Sequence, residues 1–464
     1  MLCANNVNRR SDVMRKANSM DMCNGPLFKK IILYTVPIIL ASILQLFFNA
    51  ADLVVVGRYS GSVSVAAVGA TGAIINLTVC LFIGLSLGAG VVVAQGFGAK
   101  NSQQVESAVH SSMLIALVGG VVLTLIGVFS SRWLLQLMGT PGDVIGLSVT
   151  YMQIYFCGII PMLIYNFGSA ILRAVGDTKS PLAYLSVAGI INVVLNIFFV
   201  RNLHLGVAGV ALATTISQTV SAVLVIISLM SRTDDCRLEI KRLRFSKRTV
   251  GKIIQIGVPS GIQSAMFSIA NVLIQSSVNS LGGVVIAGEA AAKNIEGFLY
   301  VSMNAFHQTS MNFAGQNIGA GKLSRVKKTL GICAASATVL SVMLSVVTNL
   351  FGRRLLSLYI VDSPEAIDYG MLRIVYTTTL YFLCALMEVL TGTLRGMGAS
   401  LTPMLISVFG ICGVRIIWVY TFFRTSHTLQ SLSISYPVSW FVTSVLQFAA
   451  FMYVIKKYEN RLKT

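Results

Sequence analysis

The chain has 464 residues, 55% of them hydrophobic and only 11% charged, with a mean hydropathy of +0.78. So little polar surface excludes a soluble globular protein, and the apolar runs of 20 or more residues that recur along its length are each long enough to cross a bilayer as a helix. The formal charge of +19 would suggest nucleic acid in a soluble chain, but its distribution argues for membrane orientation and against a nucleic-acid partner.

Residues 1–26 are polar, lack the apolar core of a signal peptide, and read as a cytoplasmic tail. MDMCNGPLFKK, beginning at Met20, resembles a start in its own right, so Met1 and Met20 are alternative starts. Six apolar runs follow at roughly 31–56, 66–94, 108–129, 146–171, 181–200 and 206–230, predicting an N-lobe over 27–230. A basic connection at 231–252 reads as a cytoplasmic linker. Six more runs, at roughly 253–280, 288–314, 329–350, 371–394, 402–423 and 434–455, predict a C-lobe over 253–456, and 457–464 form a basic cytoplasmic tail. The runs lack the alternating ten-residue pattern of a membrane barrel. The expected fold is therefore all-α and integral to the membrane, with twelve transmembrane helices. Pro37, Pro161 and Pro259 fall inside runs and predict kinks.

Lysine and arginine concentrate before the first run, in every second connection and in the C-terminal tail. Examples are Arg9, Arg10, Lys29 and Lys30, then Lys100, Arg173 and Lys179, then Arg242, Arg248, Lys322 and Lys456. The positive-inside rule places both termini in the cytoplasm. Eight scattered cysteines with neither CxxC nor metal-ligand spacing read as free packing thiols.

An internal repeat organises the runs. KIILYTVP (Lys30 to Pro37) returns as KIIQIGVP (Lys252 to Pro259), a shift of 222 residues. The same shift carries Ser42 onto Ser264, Asn49 onto Asn271, Gly61 onto Gly283, Lys100 onto Lys322, and LRAVGDTKSP at Leu172 onto LRGMGASLTP at Leu394. QGFGAK at Gln95 answers QNIGAGK at Gln316 across a one-residue gap. Each half has an even number of spans, so the two six-helix repeats are parallel, an arrangement of transporters that handle substrate between their halves.

FFNAADLVVVG in the first run, VAQGFGAKN after the second, LRAVGDTKSP after the fourth, and the repeats QNIGAGK and LRGMG together resemble the multidrug and toxic compound extrusion (MATE) family. The resemblance covers the chain from about Met20 to its end. It implies a two-lobe multi-pass transporter of the inner (plasma) membrane that exports small lipophilic, often cationic compounds by antiport with Na+ or H+. It implies no cofactor beyond that monovalent coupling cation, and the expected working unit is a monomer in the lipid bilayer. The rival reading is a flippase of a lipid-linked or polysaccharide precursor, which shares a related two-lobe build.

Candidate ion-coupling residues start with Asp52. A carboxylate within a span costs about 2.5 to 3.5 kcal/mol on insertion scales, so it either faces a polar interior or sits wet at a helix end. Gln45, Asn49 and Asp52, spaced by four and three, share one helical face. Asn192 and Asn196 form an i, i+4 pair in the fifth run, either as partners of Asp52 or as interhelical glue. The resemblance implies coupling through the first-helix aspartate, with an Asn-x-x-x-Asp pattern in the fifth helix where this chain has Asn196 in place of the acid. One acid with amide oxygens suits a proton or a bound Na+ at Asp52.

In the second half, Glu388 is a candidate for coupling or for contacting a cationic substrate, and Asn166 is its repeat counterpart. Neutralisation of Glu388 by Arg415 is the structural alternative. Glu289, Lys293 and Glu296 have salt-bridge spacing, with Glu296 the member expected to face a cavity. His307 is either structural or a proton shuttle. The seventh run contains no acid. Gly84 and Gly88 in GLSLGAG fit close helix packing rather than a phosphate loop. No nucleotide motif, HExxH or nucleophile triad appears, so an enzyme is not expected.

Overall fold

The computed structural model describes residues 20–360 and 363–463. The tail before Met20, including the alternative start at Met1 and the basic residues Arg9 and Arg10, lies outside the described residues. Among those described there is no β-strand. The helices of the first repeat are α1 (Leu27–Gly61), α2 (Val63–Gly98), α3 (Ser102–Leu137), α4 (Gly142–Cys157), α5 (Ile159–Ala174), α6 (Lys179–Ile197) and α7 (Gly206–Met230). Those of the second are α8 (Lys247–Asn279), α9 (Gly283–Gly319), α10 (Leu323–Ser357), α11 (Pro364–Thr378), α12 (Tyr381–Gly396), α13 (Leu401–Ser426) and α14 (Leu429–Asn460).

Among the described residues nine helices are long and apolar enough to cross a membrane, and the bent pairs α4–α5 and α11–α12 each supply a further span. The twelfth expected span is α9, whose 37 residues suffice in length but include Glu289, Lys293, Glu296 and His307. Large apolar side chains such as Phe129, Leu350 and Tyr453 are more than 70% exposed on the helix faces, as a lipid-facing surface requires.

The repeat is visible in the backbone. The two bends are 46° and 49°. Pro161, expected to kink its run, sits in the first turn of α5 just after the bend at Gly158, where its missing N–H is harmless. α1 and α8 continue as helices through Pro37 and Pro259. Left-handed turn positions recur in pairs: Gly61 with Gly282, Lys100 with Gly321, Gly176 with Gly398, and His204 with His427. This corrects the sequence register locally. Gly61 matches Gly282 rather than Gly283, and Lys100 matches Gly321 rather than Lys322, because the turn is defined by its positive φ and not by residue identity.

The described chain forms two compact units. Unit 1 holds Val36–Gly261 with residues 20–22, and unit 2 holds Cys23–Thr35 with Ile262 onward. The boundaries therefore fall inside α1 and α8, next to Pro37 and Pro259. Within unit 1, the first half of α8 crosses α2 at backbone distance: a Cβ added to Gly84 would lie 2.4 Å from the Gly261 nitrogen, and one added to Gly88 2.6 Å from the Ile253 carbonyl. Small residues at that spacing are what let two helix backbones touch. Within unit 2, the first half of α1 packs on α9. There the Thr35 and Thr309 hydroxyls are 2.9 Å apart, Asn312 Nδ2 donates to the Tyr34 hydroxyl at 2.9 Å, and the Tyr34 and Phe313 rings meet edge to face at 5.4 Å.

Candidate ion-coupling and substrate sites

Asp52 lies on α1 of unit 1, and the i, i+4 spacing of α6 turns Asn192 and Asn196 toward it. Asn196 is fully buried, Asn192 is 5% exposed and Asp52 is half-buried. Asn196 Nδ2 donates to Asp52 Oδ1 and, at 3.3 Å, to Asn192 Oδ1. Asn192 Nδ2 reaches the Thr214 hydroxyl of α7 at 3.4 Å, which adds a hydroxyl to the same group. Tyr151 and Tyr155 of α4, stacked at 6.1 Å, lie within electrostatic reach of the same carboxylate. An apolar cluster that includes Val55, Val56, Val200 and Val210 adjoins this polar group. α6 passes into a π turn at Phe198–Asn202, directly after Asn196. Such turns disturb the i→i−4 ladder and recur at functional positions.

Asn196 Oδ1 is buried and has no hydrogen-bond partner among the described residues. A buried amide oxygen left unmatched costs about 1 to 3 kcal/mol. It lies beside a carboxylate that has no cationic partner either. The carboxylates carried more than five residues from a helix end among the described residues are Asp52, Glu289, Glu296 and Glu388, and of these Asp52 alone has no arginine, lysine or histidine within ion-pair distance. The oxygens of Asp52, Asn192, Asn196 and Thr214 make a donor set that fits a proton or a monovalent cation.

Asn49 does not join this group. It is exposed and accepts from Gln45 Nε2 at 3.3 Å along its own helix. The residues the sequence did not single out are Thr214, Tyr151 and Tyr155, whose types are ordinary in packed membrane helices.

Unit 2 places Glu388 of α12 with His307 of α9. Glu388 Oε2 lies 2.9 Å from His307 Nδ1, an approach that falls outside ideal hydrogen-bond angles. On the far side of the ring, Arg395 Nη1 is 3.1 Å from His307 Nε2, and Arg395 Nη2 donates to Gln263 Oε1 at 2.8 Å. Arginine only donates, so Nε2 is the acceptor and the ring proton sits on Nδ1, facing Glu388. The compensating cation for Glu388 is thus Arg395, acting through His307, and not Arg415. Arg415 lies 4.0 Å from the centre of the Tyr436 ring, and its Nε donates to the Ser439 hydroxyl at 3.1 Å.

Glu289 and Glu296 converge on Arg373 of α11, which is 1% exposed. Arg373 Nη1 is 2.9 Å from Glu289 Oε1, while its Nη2 and Nε reach the two oxygens of Glu296 at 2.9 and 3.1 Å. Lys293 Nζ is 3.0 Å from Glu289, and Thr377 donates to Glu296 at 2.5 Å. The salt-bridge spacing read from the sequence holds for Glu289 and Lys293, but the centre of the cluster is an arginine from another helix. Asn166 Nδ2 donates to the Met162 carbonyl of its own helix at 2.9 Å, so it does not mirror the pairing of Glu388. Among the described residues no group of histidine, cysteine and carboxylate side chains could hold a metal ion.

Comparison with known proteins matches this architecture. "Probable multidrug resistance protein YoeA" of Bacillus subtilis is 26% identical over 433 residues, covering 92% of this chain and 93% of that protein. "Multidrug export protein MepA" of Staphylococcus saprophyticus is 21% identical, covering 88% and 93% respectively. The crystal structure of MATE in complex with MaL6 superposes with a TM-score of 0.89 at 20% identity, over 95% of this chain and 98% of that one. An outward-facing multidrug resistance MATE family transporter of the MOP superfamily gives 0.88 at 20% identity, over 95% and 98%. The MatE family model matches twice, over residues 37–198 and 259–421, once in each repeat. With the motif order in both halves and the twelve-helix, two-repeat fold, these matches place the chain in the MatE family, the multidrug and toxic compound extrusion transporters.

Proposed function

We propose that this transporter exports small lipophilic and cationic compounds from the cytoplasm by antiport with a proton or Na+, through alternating access, and that Asp52 carries the coupling charge. The reading rests on one observation: Asp52 is the in-span carboxylate without a cationic partner, set beside a buried amide oxygen with no donor. A bare carboxylate in such surroundings is costly, and an incoming cation relieves that cost.

The Asn196 amide supplies a two-state element. With Asp52 ionised, the observed orientation is favourable, because Nδ2 donates to the carboxylate. With a proton or Na+ on Asp52, a flip that presents Asn196 Oδ1 becomes favourable instead, since that oxygen accepts from an O–H or ligates the cation. Coupling follows if the two orientations belong to different access states, because a ligand that binds both states equally shifts nothing.

Unit 2 supplies cargo recognition in this reading. A lipophilic cation competes with His307 and Arg395 for Glu388, whereas Arg373, Glu289 and Glu296 hold α9 to α11. Both termini lie in the cytoplasm, the protein sits in the plasma membrane, and it works as a monomer. The names of the relatives support export of drugs, and no observation supports a precursor flippase.

The test is efflux of a fluorescent lipophilic cation from proteoliposomes under imposed proton or sodium gradients. Wild type should respond to one of the two gradients, and Asp52→Asn should lose at least 90% of that response while keeping its fold. Equal efflux by wild type and Asp52→Asn would remove Asp52 from coupling.

A further inference from the structure

The basic connection between the repeats is a wall of a cavity, and its chemistry differs from that of the Asp52 group. The segment is stitched to α3 within unit 1. Ser102 donates to Asp235 at 2.8 Å, the Glu239 N–H donates to His110 Nε2 at 3.1 Å, and Arg242 reaches Glu106 at 2.9 Å. Ser111 accepts from the Ser246 N–H and donates to the Arg244 carbonyl, both at 3.2 Å.

These contacts enclose a cavity of about 480 Å³ between α3, the start of α8 and the connection. Arg242, Arg244, Arg248 and Lys252 line it, and Glu106 is the one carboxylate among its lining residues. Glu106 is already engaged by Arg242, which also reaches Glu239 at 2.9 Å. Arg244, Arg248 and Lys252 have no carboxylate partner among the described residues. Ser107 and Thr249 hydroxyls stand 2.8 Å apart in the lining, and Thr249 donates to the Ser246 hydroxyl at 3.1 Å. The cavity also takes in the first turn of α8, whose free N–H groups favour an anion.

We propose that this cavity binds a phosphate group carried on a small organic body. Guanidinium forks, a lysine, hydroxyl donors and a helix start are the elements that recognise phosphate oxygens. The volume exceeds what an inorganic ion needs and falls in the range of small-molecule sites. Phe245, 52% exposed, gives the lining one apolar surface for the rest of the ligand. A cationic drug is disfavoured by the same charges. Two sources carry this chemistry: the headgroup of an anionic lipid in the adjoining leaflet, and a soluble phosphate compound. Either would tie the connection and α8 to α3. The site is independent of coupling at Asp52.

The experiment measures binding of radiolabelled dihexanoyl phosphatidylglycerol and of radiolabelled pyrophosphate to the full-length protein in phosphatidylcholine nanodiscs. Wild type should bind at least one probe saturably, and Arg244→Gln/Arg248→Gln/Lys252→Gln should bind it at least tenfold more weakly. A control with the same charge loss elsewhere, Lys328→Gln/Lys456→Gln/Lys457→Gln, should bind as wild type. Glu106→Gln, which removes the carboxylate from the lining, should tighten binding severalfold. Saturation by the lipid alone identifies a headgroup site, and saturation by pyrophosphate identifies a soluble ligand. No saturable binding of either probe, or equal loss in the control, would overturn the proposal.

Discussion

Asn196 donates its amide hydrogen to Asp52, a residue 144 positions earlier in the chain, and the same nitrogen also reaches Asn192. One amide thus ties the carboxylate of α1 to the polar face of α6, while its oxygen goes unmatched.

Two of the three asparagines first grouped with Asp52 should therefore behave differently. Asn196→Ala removes the donor that stabilises the ionised, cation-free carboxylate and should tighten apparent affinity for the coupling cation about tenfold, roughly the 1.4 kcal/mol of one hydrogen bond to a charged group. Asn49→Ala breaks only a surface contact with Gln45 and should leave transport within twofold of wild type. Titration of cargo efflux against cation concentration compares the two. Equal shifts in the two variants would show that the α1 stripe acts as a whole.

Arg373→Met should be among the most destabilising single changes in unit 2. It leaves Glu296, whose side chain is 12% exposed, without its cation and strips buried Glu289 of one of two, and removing one member of a buried ion cluster typically costs about 3–5 kcal/mol. Thermal unfolding in detergent should show a large loss for Arg373→Met. Much of that loss should return in Arg373→Met/Glu296→Gln, where the orphaned charge is gone as well.

Gly84→Val should fail where Gly69→Ala succeeds. A Cβ at Gly84 collides with the backbone of Gly257 and Gly261, and neither neighbour can rotate away. The expected cost is about 2 kcal/mol or more. Gly69 has open space around it, so alanine there should be neutral or stabilising by about 0.5–1 kcal/mol. Unfolding midpoints of the two variants decide it.

Cys236, in the connection between the repeats, is fully buried, and burial together with nearby Asp234 pushes its thiol well above the ordinary range. Little thiolate then forms near neutral pH, and maleimide labelling at pH 8 should be slow. His110→Ala removes the acceptor that holds the Glu239 N–H, so labelling of Cys236 should rise severalfold as the connection loosens. Mass spectrometry of the labelled peptide reads both rates, and unchanged labelling in His110→Ala would remove that contact from the docking of the segment.

Much of the architecture was legible because lipid imposes a simple rule: backbone polar groups must be satisfied within each span, so apolar length alone marks the helices. Gly84 and Gly88 were legible as a close crossing for a similar reason, since small residues at that spacing have few other uses. The site was legible only by halves. Spacing of three and four put Gln45, Asn49 and Asp52 on one face, yet a helical face is wide, and Asp52 alone turns toward α6. No local pattern announces that Arg373 stands between Glu289 and Glu296, or that Glu388 reaches Arg395 through His307, because those pairings depend on which helices become neighbours. Turn glycines misled the register by one residue at Gly282, where two glycines in succession offered the same local chemistry.

The chain's two repeats are not its two folded units. The opening half of α1 is built into unit 2 and the opening half of α8 into unit 1, so each unit is completed by a segment from the opposite repeat. Severing the polypeptide within 231–252 would yield two fragments, each missing a part that the other carries, and neither would assemble alone. Co-produced, they should reconstitute both units by exchanging their first half-helices.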